Sequence, residues 1–470
     1  MATEVIPQGK QGWFALVKEA LTGTKRDLTG GSLNSAVLLL SIPMMLELGL
    51  ESVFSLVDIL WVSVLGNDAV ASVGLTESLM TLAFAVSAGL STAITALVAR
   101  RIGEGDTERA SIDAVQAIVV GLLLSVVIGV PLFLLAPKLL GLLGATASVR
   151  HVGFAYARIT LGFSGVVILL SLNNAIFRGA GDAAIAMKLL WVANGINLVL
   201  DPLLIFGIGP FPKLGVAGPA VATLAGRGLA LLYQGYLLAK GSGHLRIGWQ
   251  HLKVKPSEMV RFVRVASAGM LQFLLQQGSW LGLVRIVSLF GAPAIAGYTI
   301  AVRILNFIML PSLGLSNAAA TLVGQNLGAG IVARARSSVW RTGFLNLALL
   351  SFACLLFFFF AKPIVSVFGH EKQAEPIAVE CLRIFSVSNL FFAFSAVFMQ
   401  AFNGAGDTTT PAYINLFGFW LVELPLAWVL ARHTHLAIRG VFLAVLLAQV
   451  LALLLSGFLF LRGGWAKKRI

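Results

Sequence analysis

Residues 89–110, GLSTAITALVARRIGEGDTERA, return as residues 314–335, GLSNAAATLVGQNLGAGIVARA, 225 positions further on. IFRGAGD from Ile176 returns at the same distance as AFNGAGD from Ala401, and LGVAGPAVA from Leu214 returns more weakly as LAIRGVFLA from Leu436, 222 positions on. Three matches at nearly one spacing make the chain two copies of one unit, aligned end to end. The unit belongs in a membrane. Of 470 residues, 58% are hydrophobic and 11% charged, against roughly 25% charged in a soluble domain. Such a chain has too little polar surface to cover itself in water. Its apolar stretches recur along the whole length, each with the 18 or so residues that cross about 30 Å of hydrocarbon as a helix.

Gly, Pro and charge mark the segment ends and predict helices at about 34–64, 70–100, 109–136, 149–177, 182–207, 215–240, 257–290, 293–326, 332–362, 375–403, 408–432 and 436–462. An even number of helices per copy sets the copies parallel, related by an axis along the membrane normal. The expected architecture is all-α: a cytosolic segment 1–33, a six-helix lobe 34–240, a cytosolic linker 241–256, a second six-helix lobe 257–462 and a cytosolic tail 463–470. Basic residues give the orientation. Lys10, Lys25, Arg100, Arg101, Arg178, Lys253, Lys255, Arg334, Arg336, Lys468 and Arg469 are among those at one set of ends; Lys138, Arg150, Lys213, Lys362, Lys372, Arg432 and Arg439 are at the other. The larger set marks the cytosol, so both termini read as cytosolic. The first apolar run is too long for a signal peptide. Before it, Trp13, Phe14, Leu16, Val17 and Leu21 among Lys10, Lys18 and Glu19 suit either a short helix on the inner membrane face or a loose tail.

No Lys/Arg run forms a face with interleaved aromatics, so the net charge of +14 does not point to nucleic acid. Cys354 and Cys381 both fall inside apolar stretches, which argues against a structural disulfide. His151, His244, His251, His370, His433 and His435 all sit near helix ends or in loops, and the nucleophile–base pair or metal cluster of an intramembrane enzyme does not emerge.

A charge at the bilayer centre costs about 2.5 kcal/mol or more, so intramembrane carboxylates are functional candidates. Glu47, Glu51 and Asp58 stand at i, i+4 and i+11 in the first helix, within about 40° of arc, a face that cannot look at lipid. Asn194, Asn197 and Asp201 form a similar stripe on the fifth. Counted from Gly66, Gly207 and Gly215 at the outer ends, Asp58, Asp201 and Thr223 occupy one level, and they are expected to converge on one cavity of the first lobe. Two carboxylates in a water-poor pocket hold a proton between them, or hold a hard cation with amide and hydroxyl oxygens. Separate bonds to neighbouring backbone or to Arg158 are the alternative. Glu47 and Glu51 repel each other at one turn's spacing, so one is expected to carry a proton in an empty cavity, unless they pair with Arg158 or cap neighbouring polar groups. In the second copy they become Gln272 and Gln276, and Asp58 becomes Leu283, which concentrates ion chemistry in the first lobe. Glu47, Glu51, Asn194, Gln272 and Gln276 are candidates for the substrate cavity. Arg158 and Arg383, equivalent in the repeat, read as structural ion pairs or helix ties. Pro43 removes a backbone donor inside the first helix and is expected to bend it.

LSIPMM from Leu40, VDILWVSVLG from Val57, VGLTESLM from Val73, FRGAGD from Phe177, INLVLDPLLIFGIG from Ile196 and GVAGPAVAT from Gly215 follow in order. Over residues 31–462 the sequence resembles the multidrug and toxic compound extrusion (MATE) family, in its branch of DinF-like transporters. The resemblance implies a V-shaped pair of six-helix lobes in the cell membrane. It implies export of organic, often cationic compounds in exchange for protons or sodium, with no enzymatic activity and no cofactor. The implied partners are membrane lipid and small organic substrates, and the implied working unit is a monomer. It also implies that Asp58, Asn197, Asp201 and Thr223 form the coupling site for H+ or Na+, and that the first helix bends at Pro43. The acidic residues that the NorM branch uses for sodium, in the seventh and tenth helices, have no clear counterpart. A flippase for lipid-linked oligosaccharides or related precursors shares the architecture and is the rival. It needs Arg or Lys around pyrophosphate, whereas the polar groups expected in the cavity are mainly Glu, Asp, Gln and Asn.

Overall fold

In a computed structural model of the chain, residues 12–24, 26–241, 243–368 and 373–468 are described. Lys10, Lys25, His370, Lys372 and Arg469, used above for charge and histidine placement, lie outside them. No strand occurs among the described residues. The helices are α1 (Trp13–Thr22), α2 (Leu33–Ser63), α3 (Asn67–Gly103), α4 (Thr107–Leu142), α5 (Ala147–Gly162), α6 (Ser164–Ala180), α7 (Ala183–Phe206), α8 (Ala217–Lys240), α9 (Pro256–Val287), α10 (Ala292–Gly328), α11 (Val332–Phe359), α12 (Ala361–Phe368), α13 (Glu375–Gly404), α14 (Thr409–Asn415), α15 (Leu424–His433) and α16 (Ile438–Arg462). A π-helical segment, Leu416–Glu423, joins α14 to α15. Eleven stretches among the described residues are long and apolar enough to cross a bilayer, with α5 and α6 forming one of them and α14 through α15 another. The twelfth helix, α8, misses that mark because Arg227, Gln234 and its glycines dilute its apolarity; it packs along α7 and completes the first lobe.

The repeated stretch explains how the lobes meet. Its two copies are the second halves of α3 and α10, and each crosses to the other lobe, α3 against α9 and α10 against α2. A Cβ on Gly314 would stand 2.2 Å from the carbonyl oxygen of Met44 in α2, and one on its repeat partner Gly89 would stand 2.3 Å from Met270 Cγ in α9. Further along, a Cβ on Gly103 would stand 1.9 Å from the carbonyl oxygen of Gln325, and one on Gly328 would stand 2.1 Å from that of Arg100. Both copies carry glycine because both must let a foreign backbone approach this closely.

One end of the bundle gathers the amino-terminal segment, the linker and the tail. Arg334, at the start of α11, donates to the carbonyls of Leu28, Gly30 and Gly31, and Arg100 donates to that of Lys468. Gln325 and Thr321 of α10 donate to the carbonyls of Gly179 and Arg178 at the end of α6. This terminal end is sealed. α1 buries Leu16 and Ala20 against Leu39 of α2 and leaves Trp13 and Phe14 59% and 87% exposed; the helix alternative, not the loose tail, is the one observed. α2 runs unbroken through Pro43.

Candidate functional site

Away from the terminal end, two cavities open. The first, ≈ 490 Å³, lies among the far halves of α2, α3, α5, α8 and α10. The second, ≈ 450 Å³, lies in the second lobe among α9, α10, α13, the π segment and α16, and Asn306 of α10 lines both. Beneath the first, α2 and α10 cross at Met44–Gly314 and at Gly49–Pro311.

Asp58, Asn197, Asp201 and Thr223 meet at the wall of the first cavity. Asn197 Nδ2 donates to Asp201 Oδ1 at 3.2 Å and to Thr223 Oγ1 at 3.0 Å. The Asp58 and Asp201 carboxyls are direct neighbours and interact with each other. Asp201 itself is wholly buried, and its Oδ2 finds no donor among the described residues when both carboxyls are ionised. A proton held between the two carboxyls supplies that donor and removes one of two adjacent charges.

Glu47 and Glu51 do not face each other unpaired. Arg178 Nη1 donates to Glu47 Oε1 at 2.7 Å, with Asn174 Nδ2 at 3.3 Å, and Arg227 Nη2 donates to Glu51 Oε1 at 2.9 Å, with Asn194 Nδ2 on Oε2 at 3.0 Å. Each acid has a guanidinium of its own, and the partners are Arg178 and Arg227 where Arg158 was expected. Glu51 and Asn194 line the first cavity and Gln276 the second, whereas Glu47 and Gln272 line neither. Glu47 is 2% exposed behind the wall, and Gln272 offers its backbone carbonyl to Asn415 Nδ2.

Arg158 and Arg383 tie helices without ion pairs among the described residues, because aromatic faces and a carbonyl stand where a carboxylate was expected. The Arg158 guanidinium lies 4.1 Å from the Phe133 ring centroid of α4, and Arg383 of α13 donates to the Phe358 carbonyl of α11 and lies over its ring. Sequence reasoning missed Arg178 as a partner of Glu47, having counted it as a terminal-end charge. It also missed Arg227, Arg303 and Glu77 on the first cavity and Glu423 on the second. The signal that finds the arginines is the repeat itself, because Arg178 becomes Asn403 where Glu47 becomes Gln272, and Arg227 becomes Gln449 where Glu51 becomes Gln276.

Comparison with known proteins agrees with this architecture. The MatE family model matches residues 43–203 and 269–429, one copy in each lobe. The probable multidrug resistance protein YoeA of Bacillus subtilis is 28% identical over 91% of this chain and 93% of its own length, and an FAD transporter of Shewanella oneidensis is 25% identical over 91% and 94%. A solved structure of a MOP superfamily transporter from Pyrococcus furiosus, described as having a binding pocket of reverse polarity, superposes with a TM-score of 0.88 at 25% identity over 94% of this chain and 98% of that one. Two matched repeats covering most of both lobes, in helices that fold as the relatives' do, show that this chain belongs to the MatE family of multidrug transporters.

Proposed function

We propose that the chain is a secondary multidrug antiporter of the cell membrane, exchanging protons for amphipathic organic compounds by alternating closure of its two lobes. The carboxyl pair Asp58–Asp201 carries the proposal: Asp201 is buried, half-buried Asp58 lines the cavity, and Asp201 Oδ2 lacks a donor among the described residues unless a proton is present. The Asn197 amide supports protons over sodium. Its two N–H bonds point at Asp201 Oδ1 and Thr223 Oγ1, so a sodium ion on those oxygens would stand against amide hydrogens. The excess of Arg and Lys at the terminal end favours a cytosolic location for it. With that orientation the sealed end faces the cytosol and the cavities face outward, the state that loads the coupling ion after cargo has left.

The test is export of ethidium by purified protein in sodium-free liposomes under an imposed pH gradient. Ethidium should move toward the acid side. Movement that requires sodium would turn the four residues into a metal cage, and no movement under either gradient would overturn antiport.

A second reading, carriage of anionic or zwitterionic compounds, has one observation in its favour. Arg303 faces the first cavity with no ion pair among the described residues, whereas Arg227 is occupied by Glu51. Acids and amides, Glu51, Asp58, Glu77, Asn194 and Asn306, still outnumber the arginines on this cavity, and one arginine without an ion pair among the described residues is not the cluster that a pyrophosphate needs. Arg303→Gln should then cut transport of FAD and leave ethidium unaffected; the reverse result favours cationic cargo alone.

A further inference from the structure

The second lobe carries a buried acid that the coupling site does not use. Glu423 is 3% exposed, borders the second cavity, and accepts a hydrogen bond from Ser279 Oγ of α9 at 3.1 Å. No cation pairs with it among the described residues. Glu47 and Glu51 each have an arginine; Glu423 has a hydroxyl.

Its place in the repeat is that of Leu198, one turn before Asp201. The repeat offset is 225 up to Asp407 and 222 from Leu436, and the residues are lost in the connection after the eleventh span, since that span, Thr409–His433, is 25 residues long and its counterpart α7 is 24. Glu423 therefore has no acidic counterpart in the first lobe. The π segment ends at Glu423, and such segments occur frequently at functional sites. Asp58 and Thr223 of the first-lobe site become Leu283 and Val445, and both replacements line the second cavity. Across that cavity α9, α13 and α16 present Gln276, Asn389 and Gln449, none charged, and α10 presents the Tyr298 phenol, the titratable group that faces Glu423.

We propose that Glu423 is a second proton-exchange site, belonging to the carboxy-terminal lobe and discharged when cargo or water enters the second cavity. An ionised carboxylate in this shell has no counter-charge and one hydrogen bond, which is the costly form of a buried acid, whereas the neutral acid keeps the Ser279 bond on its carbonyl oxygen. On discharge the carboxyl O–H bond breaks, the proton passes to water in the cavity, and the carboxylate left behind is balanced by an incoming cationic group. Where the first lobe shares protons between two acids, the second holds one on a single acid. The exchange role rests on the antiport proposed above; the protonated state does not.

Infrared difference spectra of the full-length protein in detergent test the proton directly. Wild type minus Glu423→Gln should show the C=O band of a protonated carboxyl, and the same band should survive Asp201→Asn. Ser279→Ala should move it to higher frequency, since the carbonyl loses its donor; this variant keeps the test alive if Glu423→Gln does not fold. Identical spectra for wild type and Glu423→Gln, or a band that does not respond to Ser279→Ala, overturn the proposal. Proton release on adding ethidium to the unbuffered protein tests the exchange: it should fall in Glu423→Gln without vanishing, and unchanged release overturns the coupling role. If the band is lost in Glu423→Gln while wild-type liposomes show no pH-driven export, antiport is what has failed.

Discussion

The two lobes share a backbone plan and compensate their interiors differently. In the first, Glu47–Arg178 and Glu51–Arg227 are ion pairs at 2.7 and 2.9 Å. In the second, the same four positions are Gln272, Asn403, Gln276 and Gln449. The second lobe packs instead through rings, with Trp340, Phe394, Phe398, Phe460 and Trp465 in a chain of centroids 4.9 to 5.8 Å apart. Because neutral residues serve at these positions in one lobe, the repeat's helix packing does not itself require the charges. Their presence around one cavity only is a functional asymmetry laid over a symmetric scaffold.

The asymmetry should break most completely at the coupling pair. Asp58→Asn and Asp201→Asn should each reduce ethidium export to background while the protein stays folded in the membrane, and the double variant should be no worse, because the two act as one unit. Export at the wild-type rate in either variant would end the idea that the first-lobe acids couple transport.

Next in size is the Glu47–Arg178 pair, whose side chains are 3% and 15% exposed. Arg178→Met leaves a buried carboxylate without its cation and should cost about 3–5 kcal/mol of stability. Glu47→Gln with Arg178→Asn, the second lobe's own solution, should recover most of that loss. Thermal unfolding in detergent compares the two. A double variant as unstable as Arg178→Met would mean that the lobes are not interchangeable at this position.

The seam should respond symmetrically. Gly103→Ala and Gly328→Ala both drive a methyl into a backbone carbonyl, which no rotamer change relieves, and each should weaken closure of the terminal end by about 1–3 kcal/mol. A cysteine placed on the cavity floor should become reactive to a maleimide added from the terminal side in both variants. Gly195→Ala, with open space around it, is the control. A response in one variant only would show that α3 and α10 do not bear the seam equally.

The repeat, the helices and the polar stripe of α2 were legible because each is periodic, and periodicity needs no partner to be seen. Asp58, Asn197, Asp201 and Thr223 could be placed at one depth by counting from helix ends. Partners across space were harder. Arg178 lies near a helix end and reads as a flanking charge until α6 is packed against α2. Glu423 stands in no pattern that the repeat displays, since the offset of 225 sets it opposite Leu198. Aromatic ties such as Arg158 over Phe133 leave no charge pattern to read.

The smallest expected effect separates two latches at the terminal end. The repeated GAGD motif ends in Asp182 in one lobe and Asp407 in the other, and each anchors the segment that follows its lobe. Asp182 accepts from the backbone N–H of His244 at 2.8 Å and meets its Nδ1 at 2.9 Å, holding the linker. Asp407 accepts from Lys468 Nζ at 3.1 Å, holding the tail. The hydrogen bond to Asp182 raises the pKa of His244 above the ordinary 6.5 against the opposing effect of burial, and the charges of Asp182 and Asp27 add to the rise. A histidine that binds its proton more tightly folded than unfolded contributes its full stabilisation below the unfolded value and loses it as pH rises through the folded one. Burial raises the Asp407 carboxyl, but hydrogen bonds from Thr410, Thr409 and Lys468 and the lysine's charge outweigh it and hold the group below the usual carboxylate range. Asp407 therefore stays ionised where His244 titrates. From about pH 6 to about pH 8, trypsin cleavage at Arg246 and Lys253 should rise relative to cleavage at Lys467 in the same digest. His244→Gln should flatten that ratio by removing the titrating partner. A ratio that rises equally in the variant would place the pH response elsewhere and leave the two latches alike.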